Sequence, residues 1–303
     1  MNNVHNLILT DDEIDFDKYL TDIPEAAKVI RSSDYRQGVK ESFLSPESER
    51  GLRLPWRKAT EFRFRPSELT VWTGYNGHKK SMMLGFIMLA MIAQKQKVCI
   101  ASLEMKPIRS LTRMCRQWVG VAEPTIPVTD KFFDWLDGKL WFYDQVGSVK
   151  AERMIAVARY AITQLGVNHF VIDSLMMCGI SEDDYNKQKW FCSELATLAK
   201  DTGAHIHLVA HSRKPSQSEC IPSTKYGVSG SANITNMPDN VIVIFQQKDE
   251  TKDYDVMFIV EKQRNGEYEP KYYLNFDENS LQFKGSKQAQ KLSCDEWGKC
   301  QWQ

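Results

Sequence analysis

Short, almost uninterrupted apolar runs recur along the chain, at 69–73, 98–103, 140–143, 169–172, 205–210, 241–245 and 256–260. Between several of them apolar residues return every three or four positions, which predicts helices over 81–96, 108–119, 151–165 and 187–202. Strands that are apolar on both faces and alternate with helices belong to a sheet covered on both sides. The pattern therefore predicts an α/β fold, doubly wound around a mostly parallel sheet. After Val256 the strands become closely spaced and end in Tyr272-Tyr-Leu-Asn-Phe276, which predicts antiparallel strands at the C-terminal edge.

The two ends read differently. An acidic amphipathic stretch over 11–30, with apolar Ile14, Phe16, Tyr19, Leu20 and Ile23, precedes polar, turn-rich sequence through Pro46 and Pro55. Such an arm packs either on its own domain or on a neighbour. Residues 287–303 are polar, carry two tryptophans and show no clear period. The chain thus divides into an arm (1–55), a body (56–285) and a polar tail (286–303).

Composition narrows the class. The 303 residues, 42% hydrophobic and 26% charged, are enough to bury a large core. The 39 basic residues balance 39 acidic ones, so no global positive field argues for nucleic acid, and any such contact has to come from local clusters. The apolar run 84–93 is too short to span a bilayer, and the start Met1-Asn-Asn-Val-His5 lacks a basic segment followed by an apolar one. A cytoplasmic protein with no membrane partner is expected. The 7 cysteines include no C-x-x-C pair, which predicts reduced thiols rather than a zinc site, Cys294 and Cys300 being the nearest pair in the tail.

Chemistry concentrates after the first of the body strands. Gly74, Tyr75, Asn76, Gly77, His78, Lys79, Lys80 and Ser81 fit the phosphate-loop pattern G-x-x-x-x-G-K-[ST], except that Lys79 stands where a glycine belongs. Between a strand and a helix, loop N–H groups and the helix N-terminus converge on one point, where an anion is favoured. In the usual scheme Lys80 reaches the β- and γ-phosphates and the Ser81 hydroxyl ligates Mg²⁺. Asp173 ends the strand Phe170-Val-Ile-Asp173 and is the carboxylate expected near that ion. Ser102-Leu-Glu104-Met ends another strand; in a parallel sheet such ends face one crevice, so Glu104 can stand near the γ-phosphate beside Asp173. His211 follows a further strand at the same edge, whereas His205 and His207 lie within it and read as core residues.

The order of these pieces, continued by Ser229-Gly-Ser231 and Lys262-Gln-Arg264-Asn-Gly266, resembles the RecA-type helicase domain of the DnaB family (superfamily 4), of the phage and Twinkle-like kind, over roughly residues 50–285. The resemblance implies a RecA-like fold. It also implies a homohexameric ring that couples hydrolysis of ATP or dTTP, with Mg²⁺, to translocation on single-stranded DNA and duplex unwinding. The setting it implies is phage or bacterial host cytoplasm, alongside primase and DNA polymerase. It makes Glu104 the residue that polarises the attacking water, lets Asp173 hold Mg²⁺ through water, and makes His211 the γ-phosphate sensor. Lys262 and Arg264 would be supplied to the neighbouring subunit's nucleotide, and Gly74 through Met82 would bind the nucleotide. Phe276, or secondarily Tyr273, resembles the aromatic that stacks on the base. Arg213, Lys214 and Lys225, in the loop after the histidine strand, would grip the DNA backbone. The arm would carry the linker helix that docks on the adjacent subunit.

Lys79 is the departure. A residue forced into an unsuitable backbone conformation costs about 1–3 kcal/mol, and a partly exposed extra charge pair contributes about 0–1 kcal/mol. If the loop keeps its shape, hydrolysis is expected to be impaired, and the alternative is a nucleotide-binding ring or scaffold that holds single-stranded DNA or replication partners.

Overall fold

Side chains alternate across a strand, and here both alternating sets are apolar. In the computed structural model Val98 and Ile100 face one core while Cys99 and Ala101 face the other, and Val171 is set against Phe170 and Ile172 in the same way. The structure describes residues 8–9, 31–44, 51–212, 222–227, 233–266 and 268–297. The acidic stretch 11–30, Arg213, Lys214 and Ser229-Gly-Ser231 lie outside them.

Twelve strands and seven α-helices follow in chain order: β1 (Ile8–Leu9), α1 (Arg36–Leu44), β2 (Leu52–Arg53), β3 (Arg63–Phe64), β4 (Leu69–Thr73), α2 (Lys80–Ala93), β5 (Val98–Ser102), α3 (Pro107–Val119), α4 (Ile126–Leu136), β6 (Leu140–Tyr143), α5 (Ala151–Leu165), β7 (His169–Asp173), α6 (Tyr185–Thr202), β8 (His205–Val209), α7 (Asn233–Asn236), β9 (Asn240–Gln246), β10 (Val256–Gln263), β11 (Lys271–Asp277) and β12 (Gln282–Lys284), among the described residues. The main sheet runs β1-β6-β5-β7-β8-β4-β9-β10-β11-β12. Its pairs are parallel from β1 to β9 and antiparallel from β9 to β12, as the change of strand spacing after Val256 predicts. One face is covered by α5 and α6, the other by α2, α3 and α4.

The sequence pattern predicts neither α1, which falls in the stretch expected to be turn-rich, nor α4, where Pro127 sits inside the pattern; that proline falls in the first turn, where its missing N–H costs nothing. The stretch after 285 also packs inward. Leu292 and Trp297 are 4% and 0% exposed, and the Trp297 indole donates to the Trp118 carbonyl at 2.9 Å. No helix among the described residues is long and apolar enough to cross a membrane.

Beneath Phe64, at the start of β7 and β8, three buried histidines stack on one another, each with its tautomer fixed by hydrogen bonds. The Trp72 indole donates to His207 Nδ1 at 3.1 Å, so His207 Nε2 carries the proton it donates to His169 Nδ1 at 3.0 Å. His205 Nδ1 donates to the Arg65 carbonyl at 2.6 Å, and its Nε2 accepts from the Thr70 hydroxyl at 2.7 Å. Burial pushes all three imidazoles down, His205 to about 4 in spite of the Arg65 bond and the Asp239 carboxylate. An unfolded histidine protonates near its ordinary value and the folded one only far below it. Stability is thus full above pH 6.5 and is lost as pH falls from there towards 4, by about 2 kcal/mol at pH 5 for His205 alone. Thermal melts should show the midpoint falling between pH 7.5 and 5; a midpoint flat across that range would refute the neutral triad.

Candidate active site

Strand β4 sits between β8 and β9, and the chain leaves its end through a gap that admits no side chain. Gly74 has φ 140°, and a Cβ there would lie 2.2 Å from the Ile244 carbonyl oxygen. The loop is then pinned to its neighbours. Ser212 N–H donates to the Gly74 carbonyl at 3.2 Å, and Gln246 N–H donates to His78 Nδ1 at 3.0 Å. His78 is 4% exposed, edge-on to Tyr75 and Phe245, so it anchors the loop and leaves Asn76 and Gly77 at the exposed tip. Lys79 takes the left-handed conformation, φ 62° and ψ 21°, in which glycine is the favoured residue. Its ammonium lies 4.1 Å from the centroid of the Phe276 ring. Among the described residues no side chain caps α2, so its first N–H groups are available to an anion.

Lys80 is buried at the start of α2 and donates to the Gly74 and Tyr75 carbonyls, both at 2.9 Å. Burial pushes its ammonium down to about 8, against the pull of the Asp173 and Glu104 carboxylates. Asp173, 8% exposed at the end of β7, is hydrogen-bonded to the Ser81 hydroxyl. Burial raises its pKa, the Ser81 bond opposes that, and neighbouring Glu104 adds to it. Glu104, two residues beyond β5, accepts from the Ser174 hydroxyl and lies 3.3 Å from His211 Nε2. The His211 bond holds its carboxyl below the usual range, against partial burial. The two carboxylates are therefore driven apart: one stays charged beside a histidine, the other sits dry beside a hydroxyl. Among the described residues no cluster of three or more His, Cys, Asp or Glu could hold a metal alone. Ser81 and Asp173 fit Mg²⁺, which binds through few protein ligands, keeping waters and phosphate oxygens in its shell.

Other predicted residues lie elsewhere. Lys262 is near the end of antiparallel β10, opposite the start of β9, which aligns with the start of β4. It and Arg264 therefore stand at the sheet edge away from the loop. Lys262 Nζ donates to the carbonyls of Thr235, Asn236 and Pro238, and Arg264 pairs with Asp239 at 3.3 Å. Lys225 is held on Glu261 by both backbone and side chain. Phe276, half-buried, packs on Phe283 at 5.0 Å on the α2 side of the sheet, whereas Tyr273 meets Tyr254 at a tilt, 4.7 Å between ring centroids, on the other. Met82 begins the first full turn of α2, and its carbonyl accepts from the Gln117 amide at 3.0 Å.

A glycine-entered loop between a central parallel strand and a buried helix, with a lysine, a hydroxyl and two strand-end carboxylates around it, defines a RecA-like nucleotide-binding domain. Residues 62–285 match the DnaB-like helicase C terminal domain, and the chain belongs to that helicase family. The fold is similar to a solved ATPase domain, with TM-score 0.68 at 12% identity over 83% of this chain and 96% of that one. It is likewise similar to a DnaB-like replicative helicase solved for its interactions with primase, with TM-score 0.69 at 12% identity over 86% of this chain and 69% of that one. The family uses a nucleotide and Mg²⁺ in general terms.

Two participants escaped the sequence reading. Ser174 follows Asp173 directly, yet nothing in the sequence says that its hydroxyl turns to Glu104. Gln117 has no motif at all; its amide joins the Met82 and Leu281 carbonyls, and its oxygen is buried beside a cavity of about 30 Å³ lined also by Ser81 and Asp173, room for a water or two. In a His211→Ala variant Glu104 loses the bond that favours its charged form, so its titration, followed by carboxyl carbon NMR, should move to higher pH. An unmoved titration would show that His211 does not set it.

Proposed function

We propose that the chain is the motor of a ring-forming replicative DNA helicase, which couples hydrolysis of ATP or dTTP to translocation on single-stranded DNA and duplex unwinding. The observation that carries this reading is the pair of unlike carboxylates beside the phosphate loop, Glu104 kept charged by His211 and Asp173 kept dry beside Ser81. A charged, half-exposed Glu104 suits a general base that orients water for in-line attack on the γ-phosphorus. The loop N–H groups and the N-terminus of α2 take the phosphate oxygens, and Lys80 turns from the loop carbonyls to the β- and γ-phosphates. Ser81 and Asp173 would hold Mg²⁺, which when bound would supply positive charge against the phosphate oxygens. His211, bonded to Glu104, senses whether the γ-phosphate is in place.

Lys262 and Arg264 stand at the sheet edge away from their own loop, which favours action on a neighbour's nucleotide, and Arg264 is 46% exposed in its side chain. A guanidinium supplied in this way is worth about 10³–10⁵ in rate in related enzymes. The exposed face of α1, with Tyr35 just before it and Val39 and Phe43 one and two turns on, 55%, 50% and 83% exposed, favours an arm that docks on the adjacent subunit of a hexamer. Lys225, with Arg213 and Lys214 of the same loop, is assigned to the DNA backbone. Primase and DNA polymerase are the partners this reading implies; the similar replicative helicase was solved for its interactions with primase. The second reading, a hydrolysis-impaired ring that holds DNA, is favoured by Lys79 alone.

Purified full chain should hydrolyse nucleotide faster with single-stranded DNA, and Glu104→Gln should lower turnover by about 10²–10⁴-fold with nucleotide affinity little changed. Lys80→Ala and Arg264→Ala should each be inactive, and mixing the two variants should restore part of the activity, because one supplies the arginine and the other the loop. Hydrolysis indifferent to DNA, or no complementation, counts against the ring motor.

A further inference from the structure

Lys79 links the phosphate loop to the C-terminal hairpin. Its backbone is left-handed, at φ 62°, and its ammonium covers one face of the Phe276 ring at 4.1 Å. The same ring packs on Phe283 at 5.0 Å. Phe276 is the half-buried aromatic on the α2 side of the sheet that a loop residue touches; Tyr273 lies on the opposite side. On the reading of Phe276 as the aromatic that stacks on the base, a nucleotide with its phosphates on the loop would bring its base to that ring. A cation over a ring and a base stacked on it use the same electron-rich face, so one excludes the other.

We propose that Lys79 is a specificity-determining residue that caps Phe276, so that this chain binds nucleoside triphosphates by their phosphates and discriminates little among bases. The inference rests on the reading of the loop as a triphosphate site. It gives the departure from glycine a consequence in substrate choice as well as in turnover. The left-handed backbone that Lys79 adopts is one that asparagine also tolerates, so Lys79→Asn removes the cap without asking the loop to change shape. Lys79→Gly removes it with the residue the pattern expects.

Calorimetry on the full chain with Mg²⁺ tests this, using ATP, GTP, CTP, dTTP and inorganic tripolyphosphate. In the unaltered chain the four nucleotides should agree within about threefold. In Lys79→Asn and Lys79→Gly, ATP and GTP should tighten by at least about fivefold relative to CTP and dTTP, each referred to tripolyphosphate binding by the same variant, as base stacking on an uncovered ring would give. Adding Phe276→Leu to Lys79→Gly should remove the gain. Strong discrimination by the unaltered chain overturns the proposal, and so does an equal loss for every nucleotide and tripolyphosphate on removing Lys79, which would make Lys79 a phosphate ligand. Failure of the unaltered chain to bind tripolyphosphate or any nucleotide would overturn the triphosphate-site reading as well.

Discussion

Gly74 passes so close to β9 that a Cβ would meet the Ile244 carbonyl oxygen at 2.2 Å, and the loop's shape follows from that approach. The approach is possible only because β4 lies between β8 and β9, both parallel to it. Parallel pairing brings the ends of β4, β5, β7 and β8 to one edge, so the loop, Glu104, Asp173 and His211 meet although long helices separate them in sequence. His78 and Ser212 then fasten the loop to β9 and to the end of β8, and the anion cradle is made of backbone. A cradle of N–H groups needs rigid strands on both sides, and the two apolar cores supply them.

Electrostatics at this edge is a contest between burial and opposite charge. Lys80 loses basicity by burial although two carboxylates stand near it. Asp173 is disfavoured as an anion by burial and by Glu104, while Glu104 is favoured by His211. Such mutually perturbed groups are the mark of a site that handles charge, because a purely structural ion pair would lower the carboxylate and raise the lysine together. On the far side of the same sheet strands, three histidines are kept neutral by burial and by a consistent run of donors and acceptors. The fold thus places its pH-sensitive core away from its charged edge.

Much of this was legible in the sequence. The strands that were predicted fall within a residue or two of their bounds, except that β10 continues three residues further to Gln263, since an apolar run reports a strand buried on both faces, whereas the short β3 and β12 give no such run. Helix α5 has the predicted bounds, and α2, α3 and α6 differ by one to three residues at their ends. Helix α4 was hidden by Pro127, whose effect depends on whether it falls in a first turn or an interior. The packing of Leu292 and Trp297 was hidden because each fills a single slot in a core built by other segments, and isolated contacts leave no period.

By itself the sequence determined the sheet type, the order of its main elements, and the set of groups that the strand ends present, because these follow from local periodicity and residue chemistry. Only the tertiary structure decided which groups touch. It paired Ser174 and His211 with Glu104, Ser81 with Asp173 and Lys79 with Phe276, and it turned Lys262 and Arg264 to the far edge of the sheet. The reason is geometric: a strand's apolar pattern fixes which face is buried, whereas the neighbour it meets depends on strand order, register and crossover, which are properties of the whole chain.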